Sequence, residues 1–497
     1  MRHLSYPRVG PKASSFRRTA LGLLTVLALL CCGEGITTGI TGAANGTTAS
    51  TAHAPVTVSP ATGPPPPAPL SIPNAYSMSL TVATPLPVTA SWTYIDGMPG
   101  LNAQLDSWLL GVLDAKMGHY RPAMTLNTGK PAGSGPRITL TAQPVKASGT
   151  VIVLRESEQD SAADGSRTNT SRTIYADTST GEVHNATDLL RPDGIPGIRA
   201  IVVSSAADQG AVPPPEGGIL QDLLLDPEGT MQVSTPAKGI HDHLAQAAMV
   251  TIGTSETGNA LSDFGRKVLD QVRSQAPVAV PPATAAGLKH VNCDLVPCAA
   301  LTYDDGPEPK TTPQLLSILR EKNAMATFFM QGVNASKNPG IAKQVSDAGH
   351  ALGNHTYSHP NLTRLSAATI KSEIDRTGAV IKAAAGIAPT FMRPPYGATN
   401  AAVQGTVGMP LMLWSVDSQD WLSKNPAIFV PKVLKEITPG AVVIMHDVHP
   451  TTIAGQAELM SNLQSQGYHL VTIQQLFDGI PLNPGQTYRS RPGRTQP

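Results

Sequence analysis

The sequence predicts an α/β protein: a distorted, incomplete (β/α) barrel of about seven strands over residues 291–483, preceded by a smaller α+β domain over residues 76–275. Three observations predict it. Apolar strand-like runs alternate with helix-like stretches through the second half, the order expected of parallel strands with helices outside them. About seven such units fill about 190 residues, fewer than the ~250 of a full eightfold barrel. A Pro/Ala stretch from Ala276 to Gly287, with Pro281-Pro282 inside it, divides the two halves.

Composition narrows the function classes. The 497 residues carry 36 basic and 35 acidic side chains, so a nucleic-acid partner, which calls for a basic surplus, is excluded and neutral ligands move forward. A hydrophobic share of 41% is too high for a wholly disordered chain. No apolar run reaches the ~18 residues of a membrane span.

Residues 1–44 read as an export signal. Arg2, Arg8, Lys12, Arg17 and Arg18 precede the apolar stretch Ala20 to Leu30, and small residues follow through Ala43 and Ala44. The Phe16-Arg17-Arg18-Thr19-Ala20-Leu21 segment suits a twin-arginine signal as well as an ordinary secretory one. Cys31 and Cys32 close the apolar run and raise a lipoprotein anchor as the alternative, against which bulky Leu30 argues; removal with the leader is preferred. Residues 45–75, rich in Thr, Ala and Pro and containing Pro64 to Pro67, form a disordered spacer that cannot bury enough apolar surface to offset chain entropy.

In residues 76–275, Leu101, Leu105, Trp108, Leu109, Val112 and Leu113 fall at helical spacing, as do Phe264, Val268, Leu269 and Val272. Ile138 to Thr141, Val151 to Leu154 and the hairpin Thr173 to His184, turning at Thr180-Gly181, read as strands. His241-Asp242-His243 has no third ligand in view and reads as a solvated helix start. The segment receives no chemistry. Residues 276–290 read as a linker and 484–497 as a disordered tail.

Within 291–483 the strand candidates are Ala299 to Tyr303, Ala326 to Met330, Ala351 to Gly353, Thr390 to Met392, Leu411 to Val416, Ala441 to Met445 and His469 to Ile473. Helices are expected around Thr312 to Glu321, with Pro313 in the first turn, and from Ala367 to Ala385, stopping at Gly386. Cys293 and Cys298, with only Asp294 nearby as a further metal ligand, read as a disulfide in an exported chain.

Polar residues follow the ends of these apolar runs: Asp304-Asp305, His355, Arg393, Asp417 and His446. Parallel α/β barrels build their sites at the C-terminal strand ends, so these groups should converge. His355 and His359, four apart, can share one ion across a helical turn or compact loop, and one carboxylate would complete a set with open positions for water and substrate. Gly306-Pro307 ends the first strand sharply, and such a turn lets both adjacent aspartates enter one cleft, which a regular strand forbids. Taken singly, each motif reads as a polar turn or a surface loop; their occurrence at successive strand ends favours a site.

At this point the chain resembles the polysaccharide deacetylase family, with its NodB-homology domain (carbohydrate esterase family 4), over about Val291 to Ile480. The motifs are Thr302-Tyr303-Asp304-Asp305-Gly306-Pro307, His355-Thr356-Tyr357-Ser358-His359, Arg393-Pro394-Pro395-Tyr396-Gly397, Asp417-Ser418-Gln419-Asp420-Trp421 and Ile444-Met445-His446-Asp447, in that order. The departures are Tyr303, Thr356 and Ile444, where the family more often has Phe, Ser and Leu.

The resemblance implies a divalent metal on Asp305, His355 and His359, Zn first with Co, Ni or Mn as alternatives. It implies Asp304 as general base oriented by Arg393, the backbone N–H of Tyr396 at the developing oxyanion, and His446 as general acid. Asp420 is favoured over Asp417 as the partner of His446. Tyr396, Trp421, Ile444 and Pro394 would bind substrate, and Asp417 and Asp447 would support the site. The implied activity is hydrolysis of N-acetyl groups on cell-wall glycan by a secreted or wall-associated monomer, peptidoglycan before chitooligosaccharides. An O-acetylxylan esterase and a non-catalytic glycan-binding wall protein are the alternatives. Residues 76–275, with their hairpin and flanking helices, resemble the accessory domain of unknown role found before the catalytic domain in some exported bacterial deacetylases and in anti-sigma-factor ectodomains.

Overall fold

The computed structural model describes residues 70–126, 135–208, 218–235, 237–239, 249–283 and 289–493, which all belong to one unit, Ala68–Pro497. The leader, Cys31, Cys32, most of the spacer and His241-Asp242-His243 lie outside the described residues. No helix among the described residues is long and apolar enough to cross a membrane.

The first half is built on a seven-stranded sheet in the order Ala75–Val82, Val88–Ile95, Arg137–Ser148, Val151–Ser161, Arg167–Asp177 and Val183–Asn185, with Ala237–Gly239 also on Arg167–Asp177. Helix Pro99–Met117 buries Leu101, Leu105, Leu109 and Leu113, a stripe at i, i+4 spacing. That stripe belongs to a core shared with Trp92, Leu295, Val296 and Phe477, so the two halves of the chain pack through common apolar side chains. A second core lies between Val151, Val153 and Tyr175, helices Ile195–Asp208 and Asp263–Ser274, and a three-stranded sheet of Leu223–Leu225, Met231–Ser234 and Met249–Ile252.

The linker expected over 276–290 is packed chain where it is described. The Gly149 N–H donates to Ala276 O (3.0 Å) and the Ala279 N–H to Gly149 O (2.8 Å), while His290 Nε2 meets Asp106 Oδ2 at 2.7 Å. Proline lacks an N–H but keeps its carbonyl and ring, so a Pro-rich strip can line a surface as well as span a gap.

The second half carries a parallel sheet in the order Ala351–Asn354, Ala326–Met330, Cys298–Asp304, Ala441–His446 and Val416–Asp417, with His469–Leu470 on the start of Cys298–Asp304. Cys298–Asp304 and Ala326–Met330 are buried at every position, as strands covered on both faces must be. Beyond Asn354, Met392 bridges to Leu411, and Leu411–Met412 pairs with Thr487–Tyr488. Helix Ala367–Ala385 starts on Ser366, whose hydroxyl accepts the Thr369 N–H (3.2 Å), and ends at Gly386 with φ 80°.

Four further expectations need correction. The expected strand Thr390–Met392 is reduced to Met392 alone, which bridges to Asn354 and to Leu411. Leu411–Val416 is divided, because the chain crosses from one sheet edge to the other: the Leu413 N–H donates to Tyr488 O (2.8 Å) and the Ser415 N–H to Val442 O (3.0 Å). Only Leu413 to Ser415 separate the two edges, yet no continuous ladder among the described residues closes the sheet. His469–Ile473 is a strand only over His469–Leu470. The tail is ordered through its described part: Thr487–Tyr488 adds a strand and Arg491 Nη2 meets Asp294 Oδ2 at 2.9 Å.

Candidate metal and acid–base centre

Asp304 ends its strand directly beside His446 in the parallel ladder. Asp305 then takes φ 75°, a left-handed conformation that aspartate tolerates, and the chain turns so that neighbouring carboxylates share one cleft. His355 follows Asn354, and its Nδ1 lies 2.7 Å from Arg393 O. A carbonyl only accepts, so Nδ1 carries a proton, and in the neutral ring Nε2 then presents a lone pair.

Nε2 of His355 and Nε2 of His359 lie 3.5 and 3.4 Å from Asp305 Oδ1. Donors each about 2.1 Å from one ion at tetrahedral angles stand ~3.4 Å apart, so the three side chains fit a single first-row divalent metal. Burial, then the adjacent His355 imidazole, lowers the His359 pKa against the pull of Asp305 and Asp304, which favours the neutral form a ligand needs. Asp305, His355 and His359 are also the metal-competent group found among the described residues.

Arg393 is fully buried, and four hydrogen bonds fix its guanidinium. Nη1 donates to Asp304 Oδ1 and Thr302 Oγ1, both at 2.7 Å, Nε to Met412 O at 2.9 Å, and Nη2 to Leu413 O at 3.0 Å. Burial pulls its pKa down, and the Asp304 charge opposes that pull. Asp304 Oδ2 is left facing the ligand set, 3.8 Å from His355 Nε2.

On the other side of the cleft Asp420 holds His446. Asp420 Oδ1 lies 3.0 Å from His446 Nδ1, and Oδ2 accepts the His446 N–H (2.9 Å) and the Thr452 hydroxyl (2.6 Å). Burial alone would lower the His446 pKa, but the bond to Asp420 and its charge, with Asp304 and Asp305, push it up to about 9. Burial likewise works against the Asp420 charge, and the bonds from His446, Thr452 and Ser418 outweigh it and lower that carboxyl's pKa. Asp417 is turned away, accepting the Gln419 N–H at 2.9 Å.

The remaining expected residues divide by exposure. Tyr396 (φ 62°) is exposed and its ring centroid is 4.8 Å from that of His359, while Trp421 is half-exposed. Ile444 is buried and, by strand parity, shares the face of Thr302, Asp304 and His446. Pro394 is buried beneath the Pro395–Gly397 turn. Asp447 is fully buried, takes the Thr312 hydroxyl on Oδ2, leaves Oδ1 without a partner, and its carboxyl packs where a Cβ on Gly306 would stand. Cys293 and Cys298 are joined as a disulfide. His350 receives the Ala326 N–H on Nδ1 (3.3 Å) and is a core histidine whose pKa burial lowers to about 4.

Thr302, Thr452 and Glu373 received no role from the sequence. Glu373 left a signal: it lies on the apolar stripe of Ile370, Ile374, Thr377 and Ile381, where a charged side chain needs a buried partner.

A family model described as polysaccharide deacetylase matches residues 292–409. A peptidoglycan-N-acetylglucosamine deacetylase of Bacillus cereus is 37% identical over 186 residues, 36% of this chain and 87% of that protein. The chain belongs to the polysaccharide deacetylase family. Peptidoglycan-N-acetylglucosamine deacetylase PgdA of Listeria monocytogenes is 43% identical over 189 residues, 38% of this chain and 40% of that protein. Peptidoglycan-N-acetylmuramic acid deacetylase PdaC of Bacillus subtilis is 38% identical over 177 residues, 36% of this chain and 38% of that protein. The match thus spans about two fifths of the length of these last two relatives. The family match covers Asp304, Asp305, His355, His359 and Arg393, while the Asp420–His446 pair lies beyond its end.

Proposed function

We propose that the chain is a metal-dependent carbohydrate N-deacetylase of the bacterial cell wall, hydrolysing N-acetyl groups of peptidoglycan GlcNAc or MurNAc first and of chitooligosaccharides next. The observation that carries it is one cleft in which the Asp305, His355 and His359 donors are flanked by an arginine-held carboxylate, Asp304, and a carboxylate-held imidazole, His446.

A divalent cation on Asp305, His355 and His359, Zn first and Co, Ni or Mn as alternatives, would polarise the acetyl carbonyl and acidify water. Asp304 Oδ2 receives the proton of the attacking water, because Oδ1 is engaged by Arg393. The Tyr396 backbone N–H would donate to the developing oxyanion. His446, protonated and held through Nδ1, delivers the Nε2 proton to the departing nitrogen as the C–N bond breaks. Buried Ile444 and half-exposed Trp421 would receive the acetyl methyl, and Tyr396 offers an exposed face to the sugar ring.

Secretion or wall association is supported by the basic and apolar start of the sequence and by the Cys293–Cys298 bond, which suits an oxidising compartment. Mass spectrometry of peptidoglycan fragments and chitooligosaccharides after incubation with metal-loaded enzyme tests the substrate. Loss of an acetyl mass from the peptidoglycan sugars is expected; loss from chitooligosaccharides alone moves the substrate to chitin, and loss from neither contradicts the activity.

A further inference from the structure

We propose that Glu373 is a positioning residue for the metal site, holding the His355–His359 loop in the shape that brings both imidazoles to Asp305; this rests on the metal-binding role given to those residues above. The loop leaves the strand Ala351–Asn354 and turns back within five residues, with Thr356 at φ 63° and His359 at φ 61°. Two left-handed residues that are not glycine persist only where their surroundings over-determine them.

Helix Ala367–Ala385 supplies that constraint. Glu373 Oε2 accepts the N–H groups of Tyr357 and Ser358, both at 2.8 Å, and Oε1 accepts the Ser358 hydroxyl at 2.8 Å. One turn further along, the Arg376 guanidinium lies 3.7 Å from the Tyr357 ring centroid. From a second segment, the Gly332 and Val333 N–H groups donate to the carbonyls of Thr356 (2.9 Å) and Tyr357 (3.0 Å). Within the loop, Asn354 Oδ1 accepts the Thr356 N–H and Thr356 Oγ1 accepts the His359 N–H. The two N–H groups midway between the histidines are satisfied by a single side chain. Its reach, more than its charge, decides whether the loop keeps its shape.

That distinction sets the test. Glu373→Asp keeps the charge but withdraws the carboxylate by one methylene, whereas Glu373→Gln keeps the reach, with the amide oxygen on the backbone and the amide N–H₂ on Ser358. Co(II) titration of the metal-free protein, followed by its visible absorption and by calorimetry, is expected to show affinity about 10–100-fold weaker for Glu373→Asp with an altered Co(II) spectrum, and within a few-fold of the parent for Glu373→Gln. Wild-type affinity in Glu373→Asp, or the reverse order of the two variants, overturns the proposal. Failure of the parent protein to bind Co(II) strikes the metal-binding role of Asp305, His355 and His359 instead. Should Glu373→Asp not fold, Glu373→Gln combined with Ser358→Ala takes its place, since the amide then lacks its hydroxyl partner; affinity equal to that of Glu373→Gln overturns the proposal.

Discussion

Asp420 grips His446 at two points, its Oδ1 3.0 Å from the imidazole Nδ1 and its Oδ2 accepting the His446 backbone N–H at 2.9 Å. The ring is thereby fixed in direction as well as in charge. His446 is raised to about 9 despite its burial because Asp420 stabilises the imidazolium. A general acid must be protonated, so activity is lost as pH rises through its pKa. Asp420→Asn removes the charge that raises it, and the alkaline limb of kcat/KM is expected to move down by at least one pH unit toward the ordinary histidine value, with a ~10²-fold loss of rate at pH 8. A pH–rate profile checks this, and an unmoved alkaline limb removes His446 from the acid role.

Arg393→Lys tests the other side of the cleft. The guanidinium satisfies Asp304, Thr302 and two carbonyls at once, and a lysine ammonium cannot reproduce that planar fork. Each buried acceptor left without a donor costs about 1–3 kcal/mol. Urea unfolding is expected to show a loss of at least ~2 kcal/mol, and acetate release a fall of ~10²-fold or more. A variant as stable and active as the parent contradicts the placement.

Asp447 makes stability depend on pH. Burial, followed by the charges of Asp305 and Asp304, raises its carboxyl to about 7, against the bond from Thr312. The folded value lies above the unfolded one, so its favourable contribution is complete below about pH 4 and is lost as pH rises through about 7. Asp447→Asn in metal-free protein is expected to flatten the change of Tm between those limits. A profile as steep as the parent's assigns that dependence to another group.

Much of this centre was legible because its residues follow apolar runs, and parallel strands under helices deliver such positions to one face. The distinction between Asp417 and Asp420 is harder to read locally. It depends on the Val416–Asp417 register against Val443 and Ile444, and on Gln419 at φ 56°, which turns Asp420 inward. Glu373 was missed because two of its three bonds come from backbone N–H groups, which every residue except proline carries. The ordered end of the chain was misread for a related reason: Arg491 bonds Asp294, 197 positions earlier, and no window of local composition contains that contact.

The most direct test of the central claim is acetate release, counted together with new free amine, from N-acetylated peptidoglycan. The parent protein is measured after chelation and again after divalent metal is restored, beside Asp304→Asn under the same conditions. Metal-assisted deacetylation predicts equal acetate and amine from the metal-restored parent, none above background after chelation, and at least a ~10²-fold loss in Asp304→Asn. Undiminished acetate release from the chelated protein or from Asp304→Asn contradicts it.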